Sequence, residues 1–303
     1  MKRILTMSKE LLFAKMRECA ETVDGYLDSI IDTSDADIAS VAQSMKYSLF
    51  AGGKRIRAFL VLEFCRLFGG EIKAALPFAA AIEMMHTFSL IHDDLPCMDD
   101  DDLRRGKPTN HKVYGEATAL LAGDALALKL FGTAASNSHV TAENALSAVR
   151  LLSDASAEVG MVGGQIMDMY AEDHEITLET LKKLYSKKTG CLIRAAAVLG
   201  CLAAGKSADS REAKSAELYA DGIGLAFQIR DDVLDATGDV TKLGKTIGSD
   251  VTNNKTTFLT FMTADEAMAE AQKVTESAKD AISDYAGSEV LCALADYLLE
   301  RES

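Results

Sequence analysis

Six carboxylates occupy the ten positions from Asp93 to Asp102, and Arg104 and Arg105 follow within three residues. Charges of one sign packed this densely repel one another unless a cation lies among them. Oxygen ligands without histidine or cysteine favour Mg²⁺, which proteins hold with one or two carboxylates together with substrate phosphate oxygens. The stretch SLIHDDLPCMDDDDLRRGKPT therefore predicts a magnesium site for a polyanion, with the two guanidiniums as further phosphate donors.

A second acidic group lies in GLAFQIRDDVLDATGD, near residue 230. On a helix, Asp231 and Asp235 lie one turn apart on the same face, and Asp232 lies beside them. Each acidic group follows a long apolar run. We therefore expect the two groups to face each other across one cavity.

The simplest alternative is that each acidic run is a solvated loop, and for one cluster taken alone that interpretation is favoured. Two Asp-Asp clusters, each after an apolar run and the first followed by Arg-Arg-Gly, make it a poor explanation of both. An EF-hand is also disfavoured, because neither cluster has the alternating D-x-D-x-D-G pattern with its terminal glutamate.

The composition indicates a helical protein. The chain has 303 residues, 48% of them hydrophobic, and only three prolines, and it is rich in good helix formers. With no proline- or serine-rich linker, we predict an all-α fold in which residues 1–303 form a single domain around a central cavity. The net charge of −14 argues against a nucleic-acid or anionic-membrane surface, because binding there requires an excess of Lys and Arg.

Cysteine usage and the N-terminus bear on location. The six cysteines show no C-x-x-C spacing, which favours reduced thiols over zinc or disulfides. Polar residues interrupt MKRILTMSKELL before a signal-peptide core could form, and no apolar run reaches about 18 residues. We expect a cytoplasmic protein without a membrane span.

Helix signals position the two acidic groups. Ser8 is expected to cap a first helix, a second should begin after Thr33-Ser34-Asp35 and run toward Phe50, and Leu76 to His92 leads into the first group. Pro96 cannot lie inside a regular helix, so the helix should loosen after Asp94 and let Asp99 return toward Asp93.

Further along the chain, the segment from Ala142 to Tyr170 is broken only by glycines, and Thr177 starts another helix. Ser207 or Asp209 is expected to cap the helix that carries the second group. A polar loop from 238 to 257 should follow, and two or three helices should finish the chain.

These motifs resemble a known family. SLIHDDLPCMDDDDLRRGKPTNHKVYGEATALLAGDAL is similar to the first aspartate-rich motif of the trans-prenyl diphosphate synthases, and GLAFQIRDDVLDATGD is similar to the second. The resemblance runs in the same order from GGKRIR near residue 52 to KLGKTIGSD and NNKTTF around residue 255. It implies a homodimeric all-helical enzyme that condenses isopentenyl diphosphate with an allylic diphosphate, using Mg²⁺, with three ions when substrate is bound and Mn²⁺ as a possible substitute.

The resemblance also implies roles for single residues. The metal ligands would be Asp93, Asp94, Asp99, Asp231, Asp232 and Asp235. Isopentenyl diphosphate would be bound by Gly53, Lys54, Arg57, His86 and Arg105. The allylic diphosphate or its developing cation would meet Arg104, Lys188, Thr189, Gln228, Lys245 and Lys255, and Gln165 and Asp168 match with a less defined role. One departure is Ala58, where the family commonly has proline.

Product length is predicted from Phe88, which lies five residues before Asp93, about 7.5 Å along a helix axis. In the family, a bulky aromatic residue there, together with the insertion seen here as Pro96-Cys97, implies a fifteen-carbon product. Farnesyl diphosphate is therefore expected from dimethylallyl and geranyl diphosphate, and geranylgeranyl diphosphate is the alternative. A terpene cyclase is disfavoured by the D-D-x-x-D second motif, and a non-catalytic subunit by the presence of both motifs.

Overall fold

The computed structural model describes residues 7–237 and 256–301, and most of this part of the chain is helical. Its first half contains α1 (Lys9–Ile30), α2 (Ala39–Leu49), α3 (Ile56–Leu67), α4 (Ile72–Asp93), α5 (Asn110–Tyr114) and α6 (Glu116–Ala135). The second half contains α7 (Ala142–Ser156), α8 (Met161–Asp173), α9 (Leu178–Tyr185), α10 (Cys191–Ala203), α11 (Arg211–Thr237), α12 (Ala264–Ile282) and α13 (Glu289–Glu300). The predicted all-α class is confirmed, and the described strands are a two-residue pair, β1 (Leu103–Arg104) and β2 (Lys107–Pro108).

The centre of the fold is built from α3, α4 and α10. Most of their residues are buried, and α4 and α10 are rich in alanine, whose small side chain lets helices approach closely. A Cβ added to Gly200 of α10 would lie 2.6 Å from the Cβ of Phe64 on α3, so these two helices pack nearly backbone to backbone. The core thereby fixes α4, whose C-terminal end carries the first acidic group.

Two predicted helix starts need correction. Helix α2 begins at Ala39, later than Asp35, because the Asp35 carboxylate accepts the Asp37 N–H at 3.0 Å and holds a local turn. Helix α11 is capped by Ser210, whose Oγ accepts the Ala213 N–H at 3.1 Å, and not by Ser207 or Asp209. Those two side chains bond to each other at 2.7 Å. The predicted caps at Ser8 and Thr177 are confirmed.

The segment from Ala142 to Tyr170 divides into α7 and α8 at the glycines. A Cβ on Gly160 would lie 2.2 Å from the carbonyl oxygen of Ala155, and one on Gly163 would lie 2.0 Å from that of Glu158. Only glycine permits this tight reversal. It lets α8 turn back toward the π-helix Ser186–Gly190, which joins α9 to α10.

Within the described part of the chain, two helices, α4 and α6, are long and apolar enough to cross a membrane by length and composition. The apolar window of α4 is 72% buried inside the protein, as expected for a core helix, whereas that of α6 is only 33% buried. The exposed part of α6 presents Leu120, Leu121 and Leu128. This helix therefore has an apolar face that the described residues leave uncovered.

Candidate active site

The first acidic group lies at the bend predicted from Pro96. Helix α4 ends at Asp93, and the chain then folds back so that the Asp99 N–H donates to the Asp93 carbonyl at 2.9 Å. Asp100 takes a positive φ of 49° in the same loop. The return of Asp99 toward Asp93 is thus confirmed, and the Asp99 carboxylate lies close enough to help raise the pKa of Asp93.

Asp93 itself faces the interior cavity. Burial raises its pKa to about 6, the nearby ammonium of Lys188 opposes this shift, and the carboxylate of Asp99 adds to it. A raised pKa means that the ionised form of the carboxyl is disfavoured, and a bound cation would stabilise that ionised form. Asp93 is therefore well suited to hold a metal ion together with an anionic ligand.

Asp94 has different surroundings. It is 3% exposed, Arg104 Nε donates to its Oδ1 at 2.6 Å, and the Arg104 guanidinium forms an ion pair with the same oxygen. Burial raises the pKa of Asp94, and the bond from Arg104 counteracts that effect. The strand pair β1–β2 places Arg104 there, so this bond ties the Arg-Arg-Gly turn to the end of α4.

A cavity of about 490 Å³ opens beside Asp93, within the 300–1,000 Å³ typical of small-molecule sites. Eight of the lining residues have polar or charged side chains: Arg57, His86, Ser89, His92, Asp93, Gln165, Lys188 and Thr189. The remaining lining is apolar: Phe88, Leu90, Met98, Met161, Val162, Ile166, Met169 and Leu192. The arrangement suits a ligand with a charged head and a hydrocarbon tail.

Lys188 and Thr189 enter the cavity from the π-helix between α9 and α10. Lys188 donates to Asp168 Oδ2 at 2.5 Å, so the carboxylate on α8 fixes the ammonium beside the cavity. A Cβ on Gly164 would lie 2.3 Å from the backbone nitrogen of Lys188, which shows that glycine permits this close packing of α8 against the π-helix. Gln165 and Asp168, matched without a defined role, thus lie next to Lys188.

The GGKRIR and Arg-Arg-Gly segments meet. Arg105 donates to the carbonyl oxygen of Gly52, and a Cβ on Gly53 would lie 2.5 Å from the Arg105 guanidinium. Position 53 therefore requires glycine both for this close approach and for its φ of 122°. The two cationic segments, more than 50 residues apart in sequence, form one surface.

Arg57 and His86 extend this surface into the cavity. The Nε of Arg57 is buried without a hydrogen-bond partner among the described residues, and burial lowers its pKa. Burial and the guanidiniums of Arg57 and Arg105 lower the pKa of His86 well below its usual value, so its imidazole is neutral. Unpaired buried donors beside like charges indicate an anion site.

The Lys54 ammonium, from the same GGKRIR segment, lies 5.5 Å from the ring centroid of Tyr297 on α13. The C-terminal helix therefore borders the predicted isopentenyl diphosphate site.

Glu83 was not found from the sequence. It is 2% exposed on α4 and accepts from Arg55 Nη1 at 3.1 Å and from the Ala58 N–H at 3.0 Å. Arg55 has a φ of 48°, and Asp24 shares its guanidinium. Glu83 thus fixes the start of α3 and the loop before it, and only a three-dimensional contact reveals this role.

The second acidic group lies within α11, as predicted. Asp231 and Asp235 are partly exposed, whereas Asp232 is 5% exposed. The Tyr185 hydroxyl donates to both oxygens of Asp232, at 2.9 and 3.0 Å, and the Phe258 N–H donates at 2.8 Å. Asp232 therefore joins α11 to the residue before the π-helix and to the chain after residue 257.

Two further residues near this group came only from the structure. Arg301 donates to Asp231 Oδ1 and to the Phe227 carbonyl, and its guanidinium lies 3.8 Å from the Phe227 ring. Tyr185 immediately precedes SKKTG, but nothing in the local sequence links it to Asp232.

Of the residues predicted near the second group, Gln228 lies one turn before Asp232 and is partly exposed. Lys245 and Lys255 lie outside the described residues.

The donor set fits a metal shared with a ligand. Among residues 7–237 and 256–301, no three carboxylate, imidazole or thiol groups converge on a single point. Mg²⁺ does not require such a cage, because one or two carboxylates suffice when phosphate oxygens and water complete the shell. Of the first group, Asp93 lines the cavity and Asp99 lies beside it, and both would hold the ion. The second group does not line this cavity, and the part of Asp231 and Asp235 in the same metal site stays a prediction.

Known proteins share both sequence and fold with this chain. The sequence model of the family described as Polyprenyl synthetase matches residues 38–290. The farnesyl diphosphate synthase of Bacillus subtilis (strain 168) is 43% identical over 266 residues, covering 87% of this chain and 89% of that protein. The geranylgeranyl diphosphate synthase of Cyanophora paradoxa is 42% identical over 295 residues, covering 96% of this chain and 97% of that protein.

A solved structure agrees. The apo crystal structure of an FPP/GFPP synthase from Zymomonas mobilis superposes with a TM-score of 0.88 at 34% identity, covering 96% of this chain and 100% of that one. The resemblance stated from the motifs is thereby confirmed. The chain belongs to the polyprenyl synthetase family and is a prenyltransferase that joins prenyl diphosphates head to tail.

Proposed function

We propose that the enzyme makes farnesyl diphosphate by adding isopentenyl diphosphate to dimethylallyl and then geranyl diphosphate. The observation that carries the proposal is the position of Phe88. Its ring lines the apolar part of the cavity, five residues before Asp93 on the same helix. A prenyl tail whose diphosphate lies near Asp93 would grow toward this ring, which would act as a floor.

The enzyme must stabilise the charges that separate when the allylic diphosphate ionises. Breaking the allylic carbon–oxygen bond leaves negative charge on diphosphate, and bound Mg²⁺ would supply part of the neutralisation. Lys188 would add a cation at the same end, held in place by Asp168. Arg104, which the resemblance assigns to the allylic diphosphate, is held by Asp94. These cations are most useful at the transition state, where the charge is largest.

The allylic cation must be kept from water. The apolar lining of the cavity would exclude solvent, and the oxygen of Thr189 would lie near the developing charge as a weak dipole. The isopentenyl double bond then attacks the cation, and a proton leaves, which the departing diphosphate can accept.

Isopentenyl diphosphate would bind where GGKRIR meets the Arg-Arg-Gly turn. The unpaired Arg57 Nε and the neutral His86 are donors available to its phosphates. Arg105 and Lys54 complete a surface for a second diphosphate, which an enzyme that only cyclises one prenyl diphosphate would not need. This favours condensation over cyclisation.

A homodimer is part of the proposal. The exposed leucines of α6, 44–74% exposed at positions 120, 121 and 128, form an apolar face that a second copy would cover. Sedimentation of the wild type and of Leu128→Glu tests this: the wild type should be dimeric and the variant should dissociate. A monomeric wild type would contradict it.

The six cysteines are all free thiols, which supports a cytoplasmic location as a further proposal.

Geranylgeranyl diphosphate is the second candidate, because a relative of that name is nearly as similar as the farnesyl diphosphate synthase. Labelled isopentenyl diphosphate with each allylic primer, followed by chromatography of the products, separates the two. The wild type should stop at fifteen carbons and Phe88→Ala should continue to twenty. Met98→Ala enlarges the same cavity beside the acidic loop and should not lengthen the product.

If the wild type makes mainly twenty-carbon chains, the farnesyl assignment is wrong. If Phe88→Ala and the wild type give the same products, Phe88 is not the floor. Cyclic hydrocarbons, or no turnover of isopentenyl diphosphate, would contradict condensation.

A further inference from the structure

His92, one helical turn after Phe88, packs its ring against α6 in a slot left by Gly123. Its Nε2 lies 3.1 Å from the Leu120 carbonyl oxygen and 3.8 Å from Asp124 Oδ1, both on α6. A Cβ added to Gly123 would lie 2.2 Å from the same Nε2. The imidazole can occupy this position only because residue 123 has no side chain.

The imidazole also contacts the proposed floor. The ring centroids of Phe88 and His92 are 5.6 Å apart at an interplanar angle of 80°, an edge-to-face pair. Both rings line the cavity. Because the two residues are four apart on α4, they lie on one face of the helix, and the imidazole occupies the space into which the Phe88 ring would otherwise turn.

We propose that His92, seated against Gly123, is a positioning residue that sets product length by fixing the Phe88 ring. This rests on the proposed function, in which Phe88 is the floor. His92 would not touch the reacting atoms, so its effect should appear in the length of the product more than in the choice of primer.

Two substitutions move the ring in opposite directions. His92→Ala empties the slot, the Phe88 ring can turn into it, and the cavity deepens. Gly123→Ala keeps the imidazole but drives it out of α6 toward the cavity, which becomes shallower. One packing contact in a pocket discriminates by about tenfold or more, so we expect the ratio of twenty- to fifteen-carbon product to rise about tenfold in His92→Ala. In Gly123→Ala, the ten-carbon fraction should rise instead.

Further variants separate packing from hydrogen bonding. His92→Phe keeps an aromatic ring without the bond to Leu120, and should retain the fifteen-carbon product. His92→Asn keeps a polar group without the ring, and should lengthen the product as His92→Ala does. The assay is radio-chromatography of products from geranyl and labelled isopentenyl diphosphate, with thermal melting to confirm that each variant is folded.

The outcomes distinguish this inference from the assignment on which it rests. If Phe88→Ala lengthens the product while folded His92→Ala lowers only the rate, His92 merely supports Asp93 and the inference is wrong, although the floor stands. If Phe88→Ala leaves the product unchanged, the floor itself fails and the inference fails with it. A lengthening in both Gly123→Ala and His92→Ala would also contradict the proposed mechanism, because it requires opposite signs.

Discussion

The first aspartate motif lies where a helix ends, whereas the second lies inside a helix that continues. In both, the first aspartate of the Asp-Asp pair, Asp93 or Asp231, is partly exposed, and the second, Asp94 or Asp232, is buried and bonded within the protein. Arg104 holds Asp94, and Tyr185 with the Phe258 N–H holds Asp232. In the first motif, adjacent residues therefore divide two tasks: Asp93 faces the cavity and Asp94 anchors the motif. In the second motif Asp232 is the buried anchor, and Asp231 is more exposed although Arg301 donates to it.

The third aspartate shows the difference between the motifs. In α11, Asp235 follows Asp231 by four residues, and helix geometry alone puts both on one face. After α4 the helix is broken at Pro96, so a backbone bond from Asp99 to Asp93 is needed to bring the third aspartate back. The first motif is also followed by the Arg-Arg-Gly turn, in which Arg104 binds Asp94.

The largest expected effect comes from removing a predicted metal ligand. Asp93→Ala or Asp231→Ala should lower kcat by about 10³-fold or more, since each would remove a ligand of the ion that neutralises the leaving diphosphate. Steady-state turnover with geranyl and isopentenyl diphosphate measures this. Asp102→Ala is the matched control, because Asp102 is 77% exposed and pairs with Lys112 at the surface. Equal losses in all three variants would mean that general charge, and not the motif, is responsible.

Part of this division could be predicted from the sequence. The bend at Pro96, the return of Asp99 and the helix through Asp231 followed from proline and helix geometry. The anchoring roles of Asp94 and Asp232 did not, because their partners Arg104 and Tyr185 are 10 and 47 residues away and adjacent aspartates are chemically identical in sequence. Similarly, Glu83 and Arg301 act through contacts between helices that no local pattern encodes.

Stability should separate facing from anchoring residues. The pKa of Asp93 is raised to about 6, so its ionised form is disfavoured in the folded state, and Asp93→Asn should increase the free energy of unfolding at pH 7 by about 1–2 kcal/mol after allowance for its partial exposure. This gain should fade as the pH falls from 6 toward 4, because the folded state takes up the proton in this range while the unfolded carboxyl, with its ordinary pKa, is still ionised. Urea denaturation at several pH values measures it.

Asp232→Asn should have the opposite sign, lowering the free energy of unfolding by about 1–3 kcal/mol, because an amide cannot accept all three bonds that the carboxylate accepts. The same urea titration applies. If both asparagine variants destabilise the protein equally, the distinction between the motifs' first and second aspartates is wrong.

A smaller effect is expected at the other diphosphate site. Lys54→Ala should raise the KM for isopentenyl diphosphate about tenfold and leave the KM for geranyl diphosphate nearly unchanged, as expected for a residue that binds one substrate. Lys107→Ala, on the exposed strand of the same turn region, is the control cation. If only the KM for geranyl diphosphate rises, the assignment of Lys54 to isopentenyl diphosphate is wrong.

The smallest effect should come from Tyr185→Phe. It removes the hydroxyl that donates to Asp232 while the Phe258 N–H remains, so the free energy of unfolding should fall by about 0.5–1.5 kcal/mol. A double-mutant cycle with Asp232→Asn isolates the bond. Full additivity of the two substitutions would show that the hydroxyl and the carboxylate do not interact.

The central claim is that the two aspartate motifs bind one metal–diphosphate group together. Titration calorimetry of the enzyme with inorganic diphosphate in the presence of Mg²⁺ tests it most directly. Binding should require Mg²⁺ and should be lost in both Asp93→Asn and Asp231→Asn, although we expect the first variant to be more stable than the wild type. Binding that persists without Mg²⁺, or that survives in either folded variant, would contradict the account.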